Sequence, residues 1–330
     1  MTGGIAWNEI SEKSNGGTEV MCRGVEKYVS KELLENYQII PSRLKCDLDN
    51  TKLRIFYAHD LPPDPESKHL ENGGWDKYHR LVFVSHWQQQ AYINHFNIPW
   101  SKTVVLQNAI ESVTIEPREQ KPVKIIYHTT PHRGLNILVP VVEKLAEVFK
   151  NDIHLDVYSS FSLYGWPERD KQFEPLFEKI RAHPNMTYHG TVSNEKVRVA
   201  LAKAHIFAYP SIWPETSCLS LMEAMSAACI CIHPNFAALP ETAANWTYMY
   251  QFHEDNSSHA RTFYNMLQDA IVYTLSDSYK EDVKLKGQKS YADLFYSWEL
   301  RKLQWEIFLK SFADEPREMK VGPVFHYKTS

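Results

Sequence analysis

Apolar positions along the chain fall into two alternating rhythms. Short unbroken runs predict buried strands, and stretches with apolar residues three and four apart predict helices that bury one face. Runs at 37–41 (YQIIP), 53–58 (LRIFYA), 81–85 (LVFVS) and 103–107 (TVVLQ) give four strands, with a short one at 5–8 (IAWN) before them. Met21, Val25, Tyr28, Val29 and Leu33 form one stripe, so a helix is expected over 19–34, and 85–96 (SHWQQQAYINHF) gives another. Over 109–122 (AIESVTIEPREQKP) the rhythm lapses while proline and charge accumulate, which marks a domain boundary. It then restarts, with strands at 123–128, 153–158, 186–190, 205–211 and 229–234 and helices at 136–149, 171–180 and 194–204. Helices near 258–275 and 298–312 follow. Strands separated by helices imply parallel sheets. Two such runs imply an α/β chain of two Rossmann-like domains facing each other across a cleft.

The stretch 205–242 concentrates the chemistry. It reads as a strand, a loop carrying Glu215, a helix carrying Glu223 and a second strand. Leu219, Met222, Met225 and Ser226 give the helical spacing, and Thr216 and Ser217 stand where an N-cap belongs. Were the whole span helical, the two carboxylates would be about 12 Å apart. Hydrolytic acid/base pairs sit closer, at about 5–9.5 Å. The pair therefore suits the two ends of one elongated ligand. Two further loops follow strands. Gly16-Gly17-Thr18 in SNGGT opens a helix, an arrangement that offers backbone N–H groups to an anion and equally forms an ordinary tight turn. His59 and Asp60 follow the strand 53–58, where open parallel sheets bind ligands.

Charge and cysteine usage narrow the classes. The 36 basic and 40 acidic residues leave a net charge of −4 with no basic block, which argues against nucleic acid as a partner. The five cysteines show no C-x-x-C spacing, so neither a disulfide framework nor a zinc site is expected, and a cytoplasmic setting is the default. No signal peptide and no apolar run of transmembrane length is found. The 298–312 helix sets Trp305 or Leu303, Phe308, Leu309 and Phe312 beside Arg301, Lys302 and Lys310. Such a stripe packs between domains or touches a membrane surface peripherally, and the first is the expectation. Asp47-Leu48-Asp49 has the spelling of a metal-binding Asp-x-Asp but lies in a polar turn, so no metal is expected. No G-x-G-x-x-G is present, which leaves out a nicotinamide dehydrogenase.

PETSCLSLMEAMSAACICI resembles the donor-site signature of family 4 retaining glycosyltransferases, which have the GT-B fold: Glu215, seven residues, Glu223, then Ala224-Met225-Ser226. HGTVSNEKVRVALAKAHIFAYPS, YHTTPHRGLNILV, VFVSHWQQQAYINHFNIPWSKTVVLQNAI and SNGGTEVM resemble other segments of that family, so the likeness covers most of 14–312. The resemblance implies a short acceptor domain (1–112), a nucleotide-sugar donor domain (113–297) and a helix and tail (298–330) returning across the junction. It also implies glycan biosynthesis by a metal-independent, retaining, hexosyltransferase-like enzyme with no cofactor beyond its UDP- or GDP-sugar donor, and a glycan or other hydroxyl acceptor. Glu223 would hold the ribose hydroxyls, and Glu215 the hydroxyls of the transferred sugar. Arg133 would neutralise the leaving diphosphate. Backbone N–H groups of Ser217, Cys218 and Leu219, after Thr216, would face the sugar and diphosphate. His59 would contact the sugar near the reacting carbon, and the acceptor would sit near Gly16, Gly17 and Thr18.

Two positions depart from the family pattern. His128 stands where an arginine often adds a second phosphate cation, and Ala228 stands where a glycine usually follows the Glu223 helix. A nucleotide-sugar-binding protein without turnover and a two-Rossmann epimerase are the alternative readings. The donor base falls to loops near Tyr158 and His189–Val192, which the sequence does not decode, and the oligomeric state stays open.

Overall fold

The computed structural model describes residues 4–7 and 16–317. Ser14 and Asn15 of the glycine loop, Asn8 of the first expected strand and the tail 318–330 lie outside the described residues. The first sheet takes its strands in chain order: β1 (Gly4–Ile5), β2 (Tyr37–Pro41), β3 (Leu53–Tyr57), β4 (Arg80–Phe83) and β5 (Thr103–Val105). All four pairings are parallel. Alternation along the strands sorts their side chains onto two faces. Ile39, Ile55, Tyr57 and Val82 go to one core, Ile40, Phe56, Leu81 and Phe83 to the other.

Helix α1 (Gly17–Tyr28) covers the first of these faces. It is shorter than its apolar stripe predicts. Val29 turns extended, and the Ser30 hydroxyl then caps a separate short helix, α2 (Lys31–Leu34), by accepting from the Leu33 N–H. Local side-chain capping outcompetes continuation of the stripe here. The opposite face is covered by α3 (His86–Phe96), capped by Ser85, and by a kinked 3₁₀ segment, Pro65–Lys77, that the periodicity gives no sign of.

The second sheet has the strand order β11-β10-β9-β6-β7-β8, all parallel. Its strands are β6 (Val123–Tyr127), β7 (Ile153–Val157), β8 (Met186–Tyr188), β9 (Ile206–Ala208), β10 (Ile230–Pro234) and β11 (Tyr248–Tyr250). The last, beyond the five strands expected, is three residues long with alternating tyrosines, too short to carry a readable pattern. The intervening helices are α4 (Leu135–Phe149), α5 (Glu174–Ala182), α6 (Asn194–Lys203), α7 (Leu219–Ser226) and α8 (Leu239–Ala243), followed by α9 (Asn256–Thr274) and the unforeseen α10 (Val283–Phe295). The strand order reverses between β6 and β9, so the loops leaving these neighbours diverge to opposite faces and open a crevice at their C-terminal ends.

The last helix, α11 (Trp298–Ser311), returns to the first sheet, where Trp305, Phe308, Leu309 and Phe312 join the α1 face and leave Leu303 outside. A Cβ on Gly24 of α1 would come within 1.9 Å of the Trp298 ring. The bare backbone at Gly24 is what lets the two helices approach, and Tyr28 stacks on the same indole at 5.1 Å.

Candidate functional site

A cavity of about 910 Å³ lies between the two sheets and is lined from both. Its floor is the crevice at the β6/β9 reversal. The chain leaving β6 makes a 3₁₀ turn, Pro131–Arg133, and reaches Gly134 at φ 122°. A Cβ there would lie 2.2 Å from the Pro210 carbonyl oxygen, so only glycine lets this loop press against the one leaving β9. That contact brings Arg133 to Glu215. The guanidinium donates from Nη1 to Glu215 Oε1 at 2.5 Å, and the Tyr209 hydroxyl donates to the same oxygen. Burial opposes the charge on Arg133, yet Glu215 beside it drives its pKa well above the usual arginine value. Glu215 itself is only 4% exposed. An ion pair removed from water is costly unless tightly bonded, and this one is.

Helix α7 starts beside this pair. Its N-cap is Cys218, which makes no side-chain cap, so neither Thr216 nor Ser217 fills the capping role the sequence suggests. Thr216 instead donates its hydroxyl across the cleft to the His59 carbonyl at 2.9 Å, and the Ser217 hydroxyl is buried without a partner. A side chain recruited by the opposite domain is unavailable to cap its own helix. The uncapped first turn, with Cys218 and Leu219, lines the cavity and presents the positive end of the helix dipole to it.

Glu223, one turn further along α7, also lines the cavity. Burial pushes its pKa up to about 7, although Arg198 of α6, with Nη1 3.8 Å from Oε1, pulls it down. The two carboxylates occupy different parts of the wall, with the α7 N-terminus between them.

His59 comes from the end of β3 in the other domain. Its backbone N–H donates to Ser42 Oγ, its ring lies edge-on to Tyr57, and Nε2 is buried without a partner. Burial lowers its pKa to about 3, so the imidazole is neutral. His128, at the end of β6, is likewise buried with Nε2 unpartnered and a pKa lowered by burial to about 3. It offers a hydrogen bond where a cation was the family pattern, and no charge. Gly17 and Thr18 line the cavity; Gly16 lies under Tyr164 of the opposite domain, where a Cβ would meet the ring at 2.7 Å. Tyr158, stacked on His189 at 4.2 Å, and Gly190–Val192 line the end toward β7 and β8. Asp49 lies apart, its Oδ1 taken by the backbone and hydroxyl of Thr51 in a turn.

Sequence reasoning missed Tyr164, Tyr209 and Arg198. Tyr209 hides in an apolar strand end, Tyr164 in a stretch of two 3₁₀ turns, and Arg198 among the polar positions of an ordinary amphipathic helix. Only their partners distinguish them, and those partners are distant in sequence. Buried polar atoms are nearly always hydrogen-bonded. The unpartnered His59 Nε2, His128 Nε2, Ser217 Oγ and Arg133 Nε, gathered around one cavity, therefore mark where a polar ligand would sit.

The sequence profile described as "Glycosyl transferases group 1" matches residues 110–283. No curated protein matches the chain. Among solved structures, the chain is similar to a glycosyltransferase from Rickettsia africae ESF-5 (TM-score 0.65, 14% identity, 93% of this chain and 83% of that one). It is also similar to sucrose-phosphate synthase from Thermosynechococcus elongatus (0.62, 14%, 88% and 79%) and to HepE from Anabaena, solved with UDP-glucose (0.60, 12%, 87% and 82%). Of TarM, by contrast, it spans 56%. At these identities the likeness is one of fold: two Rossmann-like domains in the GT-B arrangement.

Proposed function

Because the chain belongs to the group 1 glycosyl transferases, we propose that it moves a sugar from a nucleotide diphosphate donor to a hydroxyl acceptor, with retention and without a metal ion, as a family 4 enzyme. The observation that carries this reading is the line of groups along one cavity wall: Glu223, the uncapped start of α7, and the Arg133–Glu215 pair. A nucleotide sugar is an elongated anion with hydroxyls at both ends. Glu223 would accept from the two ribose hydroxyls. The helix terminus and Arg133 would face the diphosphate, where negative charge grows as the glycosidic bond breaks. Glu215, steadied by Tyr209, would hold hydroxyls of the transferred sugar, and neutral His59 Nε2 would offer it a hydrogen bond from the other side. Arg133 already bonds Glu215, so a donor lying across both would share the guanidinium between the Glu215 carboxylate and the donor phosphate rather than displace it. The acceptor would enter by Gly17 and Thr18, and a leaving-phosphate oxygen would take its proton on the same face. No helix among the described residues is long and apolar enough to cross a membrane.

The test is a thermal-shift screen with UDP-, GDP- and ADP-sugars, followed by turnover of the stabilising donor with and without EDTA. Stabilisation by one base class and release of its nucleoside diphosphate in EDTA support the reading. An absolute need for Mn²⁺ or Mg²⁺ would remove the metal-free mechanism. Neutral His128 in place of a cation favours a second reading, a donor-binding protein without turnover. Donor binding with no release of nucleoside diphosphate over a broad acceptor panel would select it.

A further inference from the structure

Arg198 is the cation next to the carboxylate proposed to hold the ribose, and it comes from a different element. It sits in the second turn of α6, lines the same cavity as Glu223, and approaches Glu223 Oε1 to 3.8 Å. That distance is too long for a hydrogen bond and short enough for a strong Coulomb interaction in a partly buried site. Arg133, by contrast, is bonded directly to Glu215 at 2.5 Å. At 3.8 Å the cation stabilises the ionised carboxylate without filling the lone pairs that a diol needs. We propose that Arg198 is a positioning residue of the donor site, which keeps Glu223 ionised and oriented with its oxygens open to the ribose hydroxyls. This rests on the donor-site reading above.

The other charged groups packed around α7 are engaged elsewhere. On α10, Lys289 and Asp293 pair with each other and bond Ser226 at the opposite end of the helix. Glu241 of α8 accepts from His86 and Trp87. His233 of β10 is turned to Thr247. Across the cleft, Glu111 is held by Lys27 and Tyr28 and is the second carboxylate that Arg198 stabilises. Glu223 feels Arg198 as its charged partner, against burial.

The experiment is calorimetric titration of UDP-glucose, GDP-mannose and ADP-glucose from pH 5.5 to 9 with the whole chain, Arg198→Met, Arg198→Lys and Glu223→Gln. These donors carry a diphosphate diester that does not titrate near neutrality. Binding of the best donor should weaken as pH falls through about 7, where Glu223 takes up its proton. Loss of an adjacent opposite charge moves a carboxylate by about one unit or more. Arg198→Met should therefore shift the binding midpoint upward by at least that much, which lowers affinity at pH 7 about fivefold and leaves it nearly unchanged at pH 9. Arg198→Lys should restore most of the midpoint, and Glu223→Gln should abolish the pH dependence that Arg198→Met moves. A uniform loss of affinity at every pH in Arg198→Met, or an unmoved midpoint, would overturn the assignment while leaving the donor site standing. Failure of all three donors to bind the unaltered chain would overturn the donor site, and this proposal with it.

Discussion

Arg133 and Glu215 illustrate how much a single contact can decide. Each is a common surface residue by type, yet here they form a buried pair with Tyr209 completing the shell of Glu215 Oε1. If Arg133 faces the leaving diphosphate, its work is done mainly in the transition state. Arg133→Ala should then lower kcat by roughly 10²–10³ while weakening donor binding far less, as comparison of single-turnover rates with donor titrations would show. Equal losses in both would remove the role. The histidines supply a second prediction at this scale. His59 and His128 are neutral in the folded chain because burial lowers both to about 3, whereas an exposed histidine titrates near 6.5. A depressed folded-state pKa stabilises the fold above 6.5 and loses that contribution as pH falls from 6.5 toward 3. Each group gives up about 1.4 kcal/mol per pH unit in that window. The stability difference between the unaltered chain and His128→Gln, from urea midpoints, should therefore narrow steadily below pH 6.5. A difference constant from pH 7 to 4 would contradict it.

At the scale of elements, periodicity reads packing faithfully and boundaries less well. The stripe of Met21, Val25 and Val29 lies in one core, but the helix stops at Tyr28, where Val29 turns extended and the Ser30 hydroxyl takes the Leu33 N–H to start a new helix. Ala228, noted in the sequence as a departure from glycine, holds φ 51° in the turn between α7 and β10. Such a conformation costs a non-glycine residue about 1–2 kcal/mol. The α1–α11 contact makes a sharper prediction. Gly24→Ala would drive a methyl into the Trp298 ring, and overpacking of this kind costs roughly 1–3 kcal/mol. Thermal unfolding should show a clear loss for Gly24→Ala, and Trp298→Leu in the same background should recover part of it by vacating the space. No recovery would mean the strain lies elsewhere.

Across the whole molecule, the cleft is held at its present opening by contacts between the domains. Glu241 of α8 accepts from the backbone N–H groups of His86 and Trp87 at 2.9 and 3.1 Å, from Gln107, and faces the His86 ring. It thus caps the first turn of α3 from the opposite domain. Charge-assisted hydrogen bonds contribute about 1.5–3 kcal/mol, so Glu241→Ala should speed amide exchange at His86 and Trp87 by about tenfold or more. It should also raise KM for the donor, because the Thr216–His59 contact across the same cleft loses its support. Unchanged protection at those two amides would show that the capping is not what holds the domains.

The chain's own pattern determined the α/β class, two successive strand–helix series, most of their elements, and the two glutamates and one histidine on which the site reading began, while Arg133 entered only through the family resemblance. Those features are local: burial of each element imposes its period on the sequence, and a carboxylate eight residues from another is visible without a fold. The tertiary structure decided which of them meet. Arg133 reaches Glu215 only because the strand order reverses between β6 and β9, and Gly134 permits the two loops to touch. Thr216 leaves its expected cap for the His59 carbonyl of the other domain, His128 is neutral because it is enclosed, and Arg198 gains a partner on another helix. None of these pairings has a period or a spacing, since residues separated by tens of positions are brought together by sheet order and packing alone.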